Sequence, residues 1–158
     1  MAKRFSIITV HRNGIERLRN FLSSAEQVID KNMDSIMVID NHSLDGSIAI
    51  AKKEFPNVSF IQNESNMGYA YACNQGITQT TSEFILICNN DLILPPNALD
   101  TFASDFKENS DAALITGQLV NQQGAKSTSA GNATTLLTEL GLRRNKRIIS
   151  MRTKTSGG

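Results

Sequence analysis

Cysteine is scarce in this sequence, with only Cys73 and Cys88 among 158 residues. Two isolated thiols are too few for a disulfide framework or a cysteine-based zinc site, and their apolar surroundings predict that both are buried and free. Long apolar runs are also missing, because none approaches the ~20 residues that a membrane span requires. The first residues lack the apolar segment and cleavage site of a signal peptide. The composition therefore predicts a globular, cytoplasmic domain.

Two glycine-rich phosphate-binding patterns are absent as well. The sequence has no Gly-x-Gly-x-x-Gly after its first strand-like run and no Gly-x-x-x-x-Gly-Lys-Ser/Thr anywhere. Each pattern brings glycine backbone against a phosphate at the start of a helix. Their absence disfavours a glycine-rich dinucleotide site and a P-loop.

Acidic residues become rare towards the end of the chain. Residues 1–111 carry nine Lys and Arg against fourteen Asp and Glu, whereas residues 112–158 carry seven against Glu139 alone. The two parts therefore have formal net charges of −5 and +6. The later basic residues cluster at Arg143, Arg144, Lys146, Arg147, Arg152 and Lys154. Such a cluster is suited to anionic lipid, a phosphate or nucleic acid, although a solvated tail is the commoner outcome.

What the sequence does contain is a regular alternation of strand-like and helix-like segments. Strands are predicted at residues 5–10, 35–40 and 57–61, around Ile85, and at residues 112–116. Helices are predicted at residues 15–30, 48–55, 68–80 and 96–109. This order predicts an α/β fold with a mainly parallel sheet sandwiched between helices. The apolar run around Ile85 does not alternate with polar residues, which predicts a strand covered on both faces.

Polar residues stand at the ends of three predicted strands. They are Thr9 and His11, then Asp40 and Asn41, and finally the triplet Asn89, Asn90 and Asp91. The carboxyl ends of parallel strands lie at one edge of the sheet, where α/β proteins collect their ligands. Asp91 therefore stands where a metal or phosphate site is expected. The alternative is an ordinary turn, for which asparagine and aspartate are common residues.

Four blocks of the sequence carry a family resemblance: residues 6–13, 38–47, 63–77 and 117–124. Their order and spacing resemble those of the family 2 glycosyltransferases, which have the GT-A fold, over roughly residues 5–125. The third block looks like the family's Asn-x-Gly-Phe-Ala segment, especially in its rhamnosyltransferase-like branch. The resemblance implies a Rossmann-like GT-A domain at residues 1–125 that binds a nucleoside diphosphate sugar.

The resemblance also implies roles for the polar strand ends. The triplet 89–91 stands where the family has its Asp-x-Asp motif, so Asp91 would coordinate a divalent cation, Mg²⁺ or Mn²⁺, that bridges the donor diphosphate. Asn89 replaces the first aspartate of that motif and lowers the negative charge. The nucleotide-binding residues that the resemblance implies are Thr9, His11, Asp40, Asn41, Asn74, Asn89 and Asn90.

Other residues near these motifs are expected to have structural roles. Asp45 is predicted to be the N-cap of the second helix, and His42 to be a histidine of a surface loop. The third helix is expected to approach the ligand closely through its small residues Gly68, Ala70 and Ala72, while its tyrosines Tyr69 and Tyr71 are predicted to be packing residues.

The general base is the part of the family pattern that this sequence does not supply clearly. Inverting transfer needs a carboxylate to deprotonate the acceptor, and members of the family carry it well beyond the metal motif. Glu139 is the single candidate here, and its surroundings resemble a helix before the acceptor region. We therefore expect a C-terminally truncated member, with residues 126–158 forming a basic partial acceptor-side segment or a flexible tail.

The sequence as a whole predicts an inverting glycosyltransferase of cell-surface polysaccharide synthesis. It would move a sugar from a nucleoside diphosphate donor to a saccharide or lipid-linked acceptor, in the cytoplasm or at the inner face of the membrane. Peripheral membrane contact and a homodimer are compatible with the sequence, and nucleic acid is not an expected partner. The alternatives are a non-catalytic domain that binds a nucleotide sugar and a nucleotide-binding regulatory domain with the same fold.

Overall fold

Helices and strands alternate along the part of the chain that the structure, a computed structural model, describes, which is residues 3–121 and 123–126. In chain order they are β1 (Phe5–His11), α1 (Ile15–Val28), β2 (Asp34–Asp40), α2 (Ser47–Glu54), β3 (Ser59–Gln62), α3 (Tyr69–Thr78), β4 (Phe84–Ile87) and α4 (Ala98–Glu108). The predicted α/β order is confirmed. The strand predicted at residues 112–116 is wrong, because that segment forms no strand and Leu114 is 70% exposed.

The four strands form one parallel sheet in the order β3-β2-β1-β4. Strand β1 pairs with β2 along its whole length, from Phe5 opposite Asp34 to His11 opposite Asp40. Its residues Ile7 and Ile8 point to opposite faces, as neighbours in a strand do, and both are fully buried. β1 is therefore a central strand whose two faces are both covered, which suits its β-branched composition.

Connection handedness explains how the helices are distributed over the two faces. The chain moves outward from β1 to β2 to β3 and then returns to the other side of β1 as β4. Because such crossovers are right-handed, α1 and α2 cover one face and α3, which runs in the returning connection, covers the other. The core agrees, since α1 contacts α2 and Ala72 of α3 packs on Ile8 and Ile39.

Strand β4 is an edge strand among the described residues, and one of its faces is partly exposed, which contradicts the prediction of a strand covered on both faces. It pairs only with β1, from Phe5 opposite Phe84 to Ile8 opposite Ile87. Ile85 and Ile87, on one face, are 39% and 40% exposed, while Phe84 and Leu86, on the other face, are half-buried. An apolar run without alternation thus does not by itself show that both faces of a strand are covered.

Gly76 sets how closely α3 lies on the sheet. A Cβ atom at this position would lie 2.7 Å from Cγ2 of Ile8 and 3.5 Å from Cδ1 of Ile39. The nearer atom is attached to the branched Cβ of a fully buried residue in the central strand, so it has little freedom to move away.

We expect Gly76→Ala to destabilise the protein, although alanine is the better helix former. Overpacking a tight core typically costs about 1–3 kcal/mol, against a gain of about 1 kcal/mol in helix propensity. Urea unfolding should show a lower midpoint with an unchanged slope. Asn74→Ala, at an exposed position of the same helix, is the control and should be neutral or slightly stabilising. A Gly76→Ala protein as stable as the parent would contradict this view of the packing.

The chain divides into two compact units, Met1–Leu99 and Asp100–Gly158. In the second unit the described residues include most of α4 and an isolated antiparallel bridge between Val120 and Lys126. The ring of Phe102 lies close to Gly117, where a Cβ atom would be 3.3 Å from Cζ of Phe102. The domain boundary predicted at residues 125 and 126 stays a prediction. Glu139 and the basic cluster of residues 143–154 lie outside the described residues. Within the described part of the chain, no helix is long and apolar enough to cross a membrane.

Candidate functional site

The strand order creates a switch point at the carboxyl edge of the sheet. β2 and β4 lie on opposite sides of β1, and the connections leaving β1 and β4 therefore diverge at this edge. In open α/β sheets such a crevice is the usual ligand site. The residues after β4 reach it directly, because the N–H of Cys88 donates to the carbonyl of Ile8 at 3.1 Å. The predicted convergence of His11, Asp40 and the triplet 89–91 at one edge follows from this arrangement.

His11 is the buried centre of the switch point. It is the last residue of β1, it has no exposed surface, and both ring nitrogens have partners. Nδ1 lies 2.7 Å from Nδ2 of Asn90, and Nε2 lies 2.9 Å from Oγ of Ser47. Burial lowers the pKa of His11, and the carboxylates of Asp40 and Asp45 raise it by smaller amounts. His11 therefore joins the ends of β1 and β4 to the start of α2.

Asp45 holds the loop before α2, but not as the predicted N-cap. The N-cap is Gly46, which has a φ of 76° and makes no side-chain cap. Asp45 instead accepts hydrogen bonds at Oδ1 from the backbone N–H and hydroxyl of Ser47, and at Oδ2 from the N–H of Gly14. These donors lower the pKa of the Asp45 carboxyl to about 2, with the Ser47 hydroxyl as the largest cause.

We expect Asp45→Asn to destabilise the protein in a pH-dependent way. The folded pKa of about 2 lies below the unfolded value of about 3.9, so the stabilisation is complete above about pH 4 and is lost as pH falls towards about 2. The melting temperature of the variant should lie below that of the parent at about pH 6, and the difference should close in acid. Glu64→Gln, at an exposed carboxylate, should give no such trend. A difference that does not change with pH would contradict the assignment.

The loops after β1 and β2 are hydrogen-bonded to each other. The N–H of Asn13 donates to Oγ of Ser43, and Oδ1 of Asn13 accepts from the N–H of Leu44, both at 2.9 Å. Asn13 has a φ of 56°, a left-handed conformation that asparagine tolerates better than most residues. The two loops therefore form one connected rim beside the switch point.

Asn41 connects the same rim to the loop before α3. It is buried, and its Oδ1 accepts from the N–H of Met67 at 2.9 Å, while its Nδ2 donates to Oδ1 of Asn66 at 2.7 Å. Asn63 adds a longer contact of 3.4 Å to the same Oδ1. Oδ1 of Asn66 also accepts from the N–H of Gly68, whose φ of 84° is a glycine conformation. The Asn41 side chain is thus used to hold the start of α3.

Asp40 also forms hydrogen bonds within the protein. Its Oδ1 accepts the backbone N–H and the hydroxyl of Ser43, and its backbone carbonyl accepts the N–H of Asn63 at 2.9 Å. The side chain is almost fully buried. Asp40 therefore shapes the loop after β2, and a ligand would reach it only from within that loop.

The triplet after β4 separates into an anchored residue and two exposed ones. Asn90 is half-buried against His11, whereas Asn89 and Asp91 on either side of it are exposed. One carboxylate and one amide oxygen are hard ligands of the kind that Mg²⁺ and Mn²⁺ accept, provided that phosphate and water oxygens complete the shell. The described residues contain no group of three His, Cys, Asp or Glu side chains that could hold a metal by themselves. The donor set fits a cation held jointly with a diphosphate.

Thr9 and Asn74 differ from the other predicted site residues in their placement. Thr9 is fully buried, two residues before His11 on the same face of β1, and its Oγ1 has no hydrogen-bond partner. Asn74 is exposed on the middle of α3. The structure thus groups His11, Asn90 and the rim residues, but it leaves Thr9 beneath the site and Asn74 on a helix surface.

Several expectations for α3 and the thiols can also be compared with the structure. Cys73 and Cys88 are buried and free, as predicted, and burial raises the pKa of Cys88 to about 12. Tyr69 and Tyr71 are 50% and 52% exposed, so the prediction that they are packing residues is wrong. Ala72 packs against the sheet, which shows that a small residue here serves helix-to-sheet packing.

Sequence reasoning missed three residues that organise the site: Asn13, Ser47 and Asn66. Each is a small polar residue in a loop or at a helix start, where asparagine and serine are common for local reasons. Their partners lie 25–36 positions away along the chain. The spacing of Asp45 and Ser47 predicts a local turn, but no sequence pattern indicates that Ser47 also contacts His11.

The chain matches the family model described as Glycosyl transferase family 2 over residues 6–156. Among curated proteins it is 27% identical over 94 residues to the N-acetylglucosaminyl-diphospho-decaprenol L-rhamnosyltransferase of Mycobacterium tuberculosis, which covers 52% of this chain and 30% of that protein. It is 28% identical over 107 residues to the poly-beta-1,6-N-acetyl-D-glucosamine synthase of Staphylococcus epidermidis, covering 66% and 26% respectively. The chain therefore spans less than a third of the length of these relatives.

Solved structures support the same fold. S. aureus TarS 1-349 in complex with UDP-GlcNAc superimposes with a TM-score of 0.66 at 19% identity, covering 85% of this chain and 38% of that one. The Pyrobaculum calidifontis mannosyltransferase PcManGT, in complex with GDP-Man and Mn²⁺, gives 0.60 at 20% identity, covering 77% and 36%. At these identities the likeness concerns the fold, which confirms the GT-A architecture predicted above.

Proposed function

Since this chain belongs to glycosyl transferase family 2, we propose that it binds a nucleoside diphosphate sugar and takes part in transferring the sugar to a saccharide or lipid-linked acceptor. The observation that carries the proposal is the triplet after β4, in which Asn90 is anchored to His11 while Asn89 and Asp91 are exposed at the switch point. A rigid support beneath two exposed oxygen ligands suits a diphosphate and its cation.

The cation in this proposal is Mg²⁺ or Mn²⁺, held by Asp91 with Asn89 beside it. When bound, it would stabilise the charge that develops on the departing nucleoside diphosphate. With only one carboxylate, this part of the chain should bind the cation weakly until a diphosphate contributes its own oxygens. The Pyrobaculum mannosyltransferase, which was solved with GDP-Man and Mn²⁺ together, supports this kind of joint site.

The nucleoside in this proposal lies against the connected rim. Asp40 and Asn41 would act mainly by holding the loops beside the crevice, because most of their polar contacts are internal. Asn74 would reach the ligand from α3, and Thr9 would support His11 from below. A preformed rim lowers the entropy cost of ordering loops when the ligand binds.

The stereochemistry and setting of the reaction belong to the proposal as well. We propose an inverting transfer in cell-surface polysaccharide synthesis, in the cytoplasm or at the inner face of the membrane. The names of two relatives, which describe a rhamnosyltransferase acting on a decaprenol-linked sugar and a poly-N-acetylglucosamine synthase, support the polysaccharide setting. The general base is unassigned, since the sequence candidate Glu139 lies outside the described residues.

The test is calorimetric titration of the chain with UDP-, GDP- and dTDP-sugars, with and without Mn²⁺. We expect saturable binding of one nucleotide class that strengthens when Mn²⁺ is present. If the site also recognises the sugar, the nucleoside diphosphate without its sugar should bind more weakly. Absence of binding by all three classes would refute the proposal. Turnover of a bound donor with an added acceptor then distinguishes a transferase from the alternative, a non-catalytic nucleotide-sugar-binding domain.

A further inference from the structure

The hydroxyl of Ser47 has one hydrogen, and its use determines the protonation of its neighbours. Oγ of Ser47 lies 2.6 Å from Oδ1 of Asp45 and donates to it. An ionised carboxylate can only accept hydrogen bonds, so the Ser47 hydrogen is committed to Asp45. The contact of 2.9 Å between Ser47 and Nε2 of His11 must then be a bond in which His11 donates. Nε2 of His11 therefore carries a proton.

The same reasoning fixes the other side of the imidazole. A neutral imidazole with a proton on Nε2 has a free lone pair on Nδ1, which can only accept. Its neighbour at 2.7 Å is Nδ2 of Asn90, an amide nitrogen that donates. Full burial of the ring favours the neutral form. The hydrogen bonds thus run in one direction, from Asn90 to His11, from His11 to Ser47 and from Ser47 to the carboxylate of Asp45, where the series ends.

We propose that His11 is a positioning residue, which holds Asn90 through an unprotonated Nδ1 in a tautomer that Ser47 and Asp45 impose from the start of α2. The orientation of residues 89–91 is then set by a hydrogen-bond chain that begins at an exposed carboxylate outside the strand ends. This hydrogen-bond chain forms between protein groups and needs no ligand. Its consequence for donor binding rests on the function proposed above.

The arrangement suits positioning because the hydrogen-bond chain connects three separate elements. Asp45 lies in the loop before α2 and Ser47 is the first residue of that helix, while His11 ends β1 and Asn90 follows β4. Breaking one link leaves a buried polar group without its partner. The cost of such an unpaired group is larger than the net contribution of the hydrogen bond to stability, because the same group bonds to water when the protein is unfolded. Asn90 would then lose its fixed direction, and the exposed residues beside it would lose theirs.

The experiment uses the whole 158-residue chain labelled with ¹⁵N in its two histidines, His11 and His42. Long-range proton–nitrogen correlation spectra distinguish the two neutral tautomers. His42→Asn assigns the signals, because asparagine tolerates the φ of 70° at that position. We expect His11 to show a protonated Nε2 and an unprotonated, hydrogen-bonded Nδ1. A proton on Nδ1 alone, or an imidazolium at neutral pH, would overturn the inference.

Two variants separate positioning from general packing. Ser47→Ala should allow His11 to populate both neutral tautomers and should shift the side-chain amide signals of Asn90. Ser47→Thr, which keeps the hydroxyl, should give the same spectrum as the parent. If Ser47→Ala does not fold, Asn90→Ala serves instead, since it should move the Nδ1 signal and leave Nε2 protonated. A His11 spectrum that is unchanged in both alanine variants would overturn the proposal.

The consequence for the ligand is measured separately. In the presence of Mn²⁺, Ser47→Ala should weaken nucleotide binding roughly two- to tenfold, as expected for one hydrogen bond, and Ser47→Thr should not. If the parent chain binds no nucleotide, the proposed function fails while the spectra still decide whether His11 holds Asn90. If the parent binds and Ser47→Ala binds equally well, the positioning role is refuted.

Discussion

Asp91→Ala should remove the Mn²⁺-dependent part of nucleotide binding and leave the fold intact. Asp91 is an exposed loop residue after β4, and an exposed side chain of this kind contributes little to stability. As the only carboxylate of the triplet, it would be the only charged protein ligand of the cation there. Losing it should cost at least the roughly 10- to 100-fold typical of losing a group that merely orients a metal ligand.

The informative comparison is with two substitutions of nearly the same shape. Asp91→Asn removes only the charge and should behave like Asp91→Ala. Asn89→Asp adds a second carboxylate to the triplet and should strengthen Mn²⁺ binding in the absence of nucleotide. Calorimetry with and without Mn²⁺ measures both effects, and Glu64→Ala at another exposed carboxylate is the control. An Asp91→Ala protein that is folded and retains its Mn²⁺-dependent affinity would exclude Asp91 as a ligand.

The fold was predictable from the sequence because its signals are local and repeated. Apolar positions at helical spacing in α1, such as Leu18, Phe21, Leu22 and Ala25, become its buried face. The β-branched run of β1 becomes a central strand. What failed depended on neighbours in space: one face of β4 is partly exposed, and residues 112–116 form no strand, although both segments are apolar. Composition does not say which apolar segment will be covered on both faces or will find a strand to pair with.

The candidate site was predictable in its location but less so in its contacts. Parallel topology alone brings the strand ends to one edge, which is why His11, Asp40 and Asn90 are neighbours of the same crevice. The sequence does not reveal that a polar side chain faces another protein group. Asp40, Asn41 and Asn90 all form hydrogen bonds within the protein. The neighbouring loops adopt left-handed conformations at Asn13 and Gly68.

Asn41→Ala should lower the stability of the protein and should also weaken nucleotide binding. The substitution removes a buried amide that accepts from the N–H of Met67 and donates to Oδ1 of Asn66. Both partners belong to exposed residues, and Oδ1 of Asn66 keeps its bond from the N–H of Gly68. An ordinary hydrogen bond contributes about 0.5–1.5 kcal/mol net, so the loss of two should cost about 1–3 kcal/mol. The melting temperature should fall by roughly 5 °C.

Local measurements decide whether this loss arises at the start of α3. Hydrogen exchange should show faster exchange at the amides of Met67 and Gly68, while the centre of β1 stays protected until global unfolding. Asn63→Ala is the matched control, because its contact with Asn41 is 3.4 Å long and should contribute little. Asn41→Asp keeps the acceptor for Met67 but places a carboxylate oxygen against Oδ1 of Asn66, so it should release Gly68 while Met67 stays protected. If Asn41→Ala melts like the parent and Met67 remains protected, Asn41 does not hold this loop, and its amide would be available to a ligand after all.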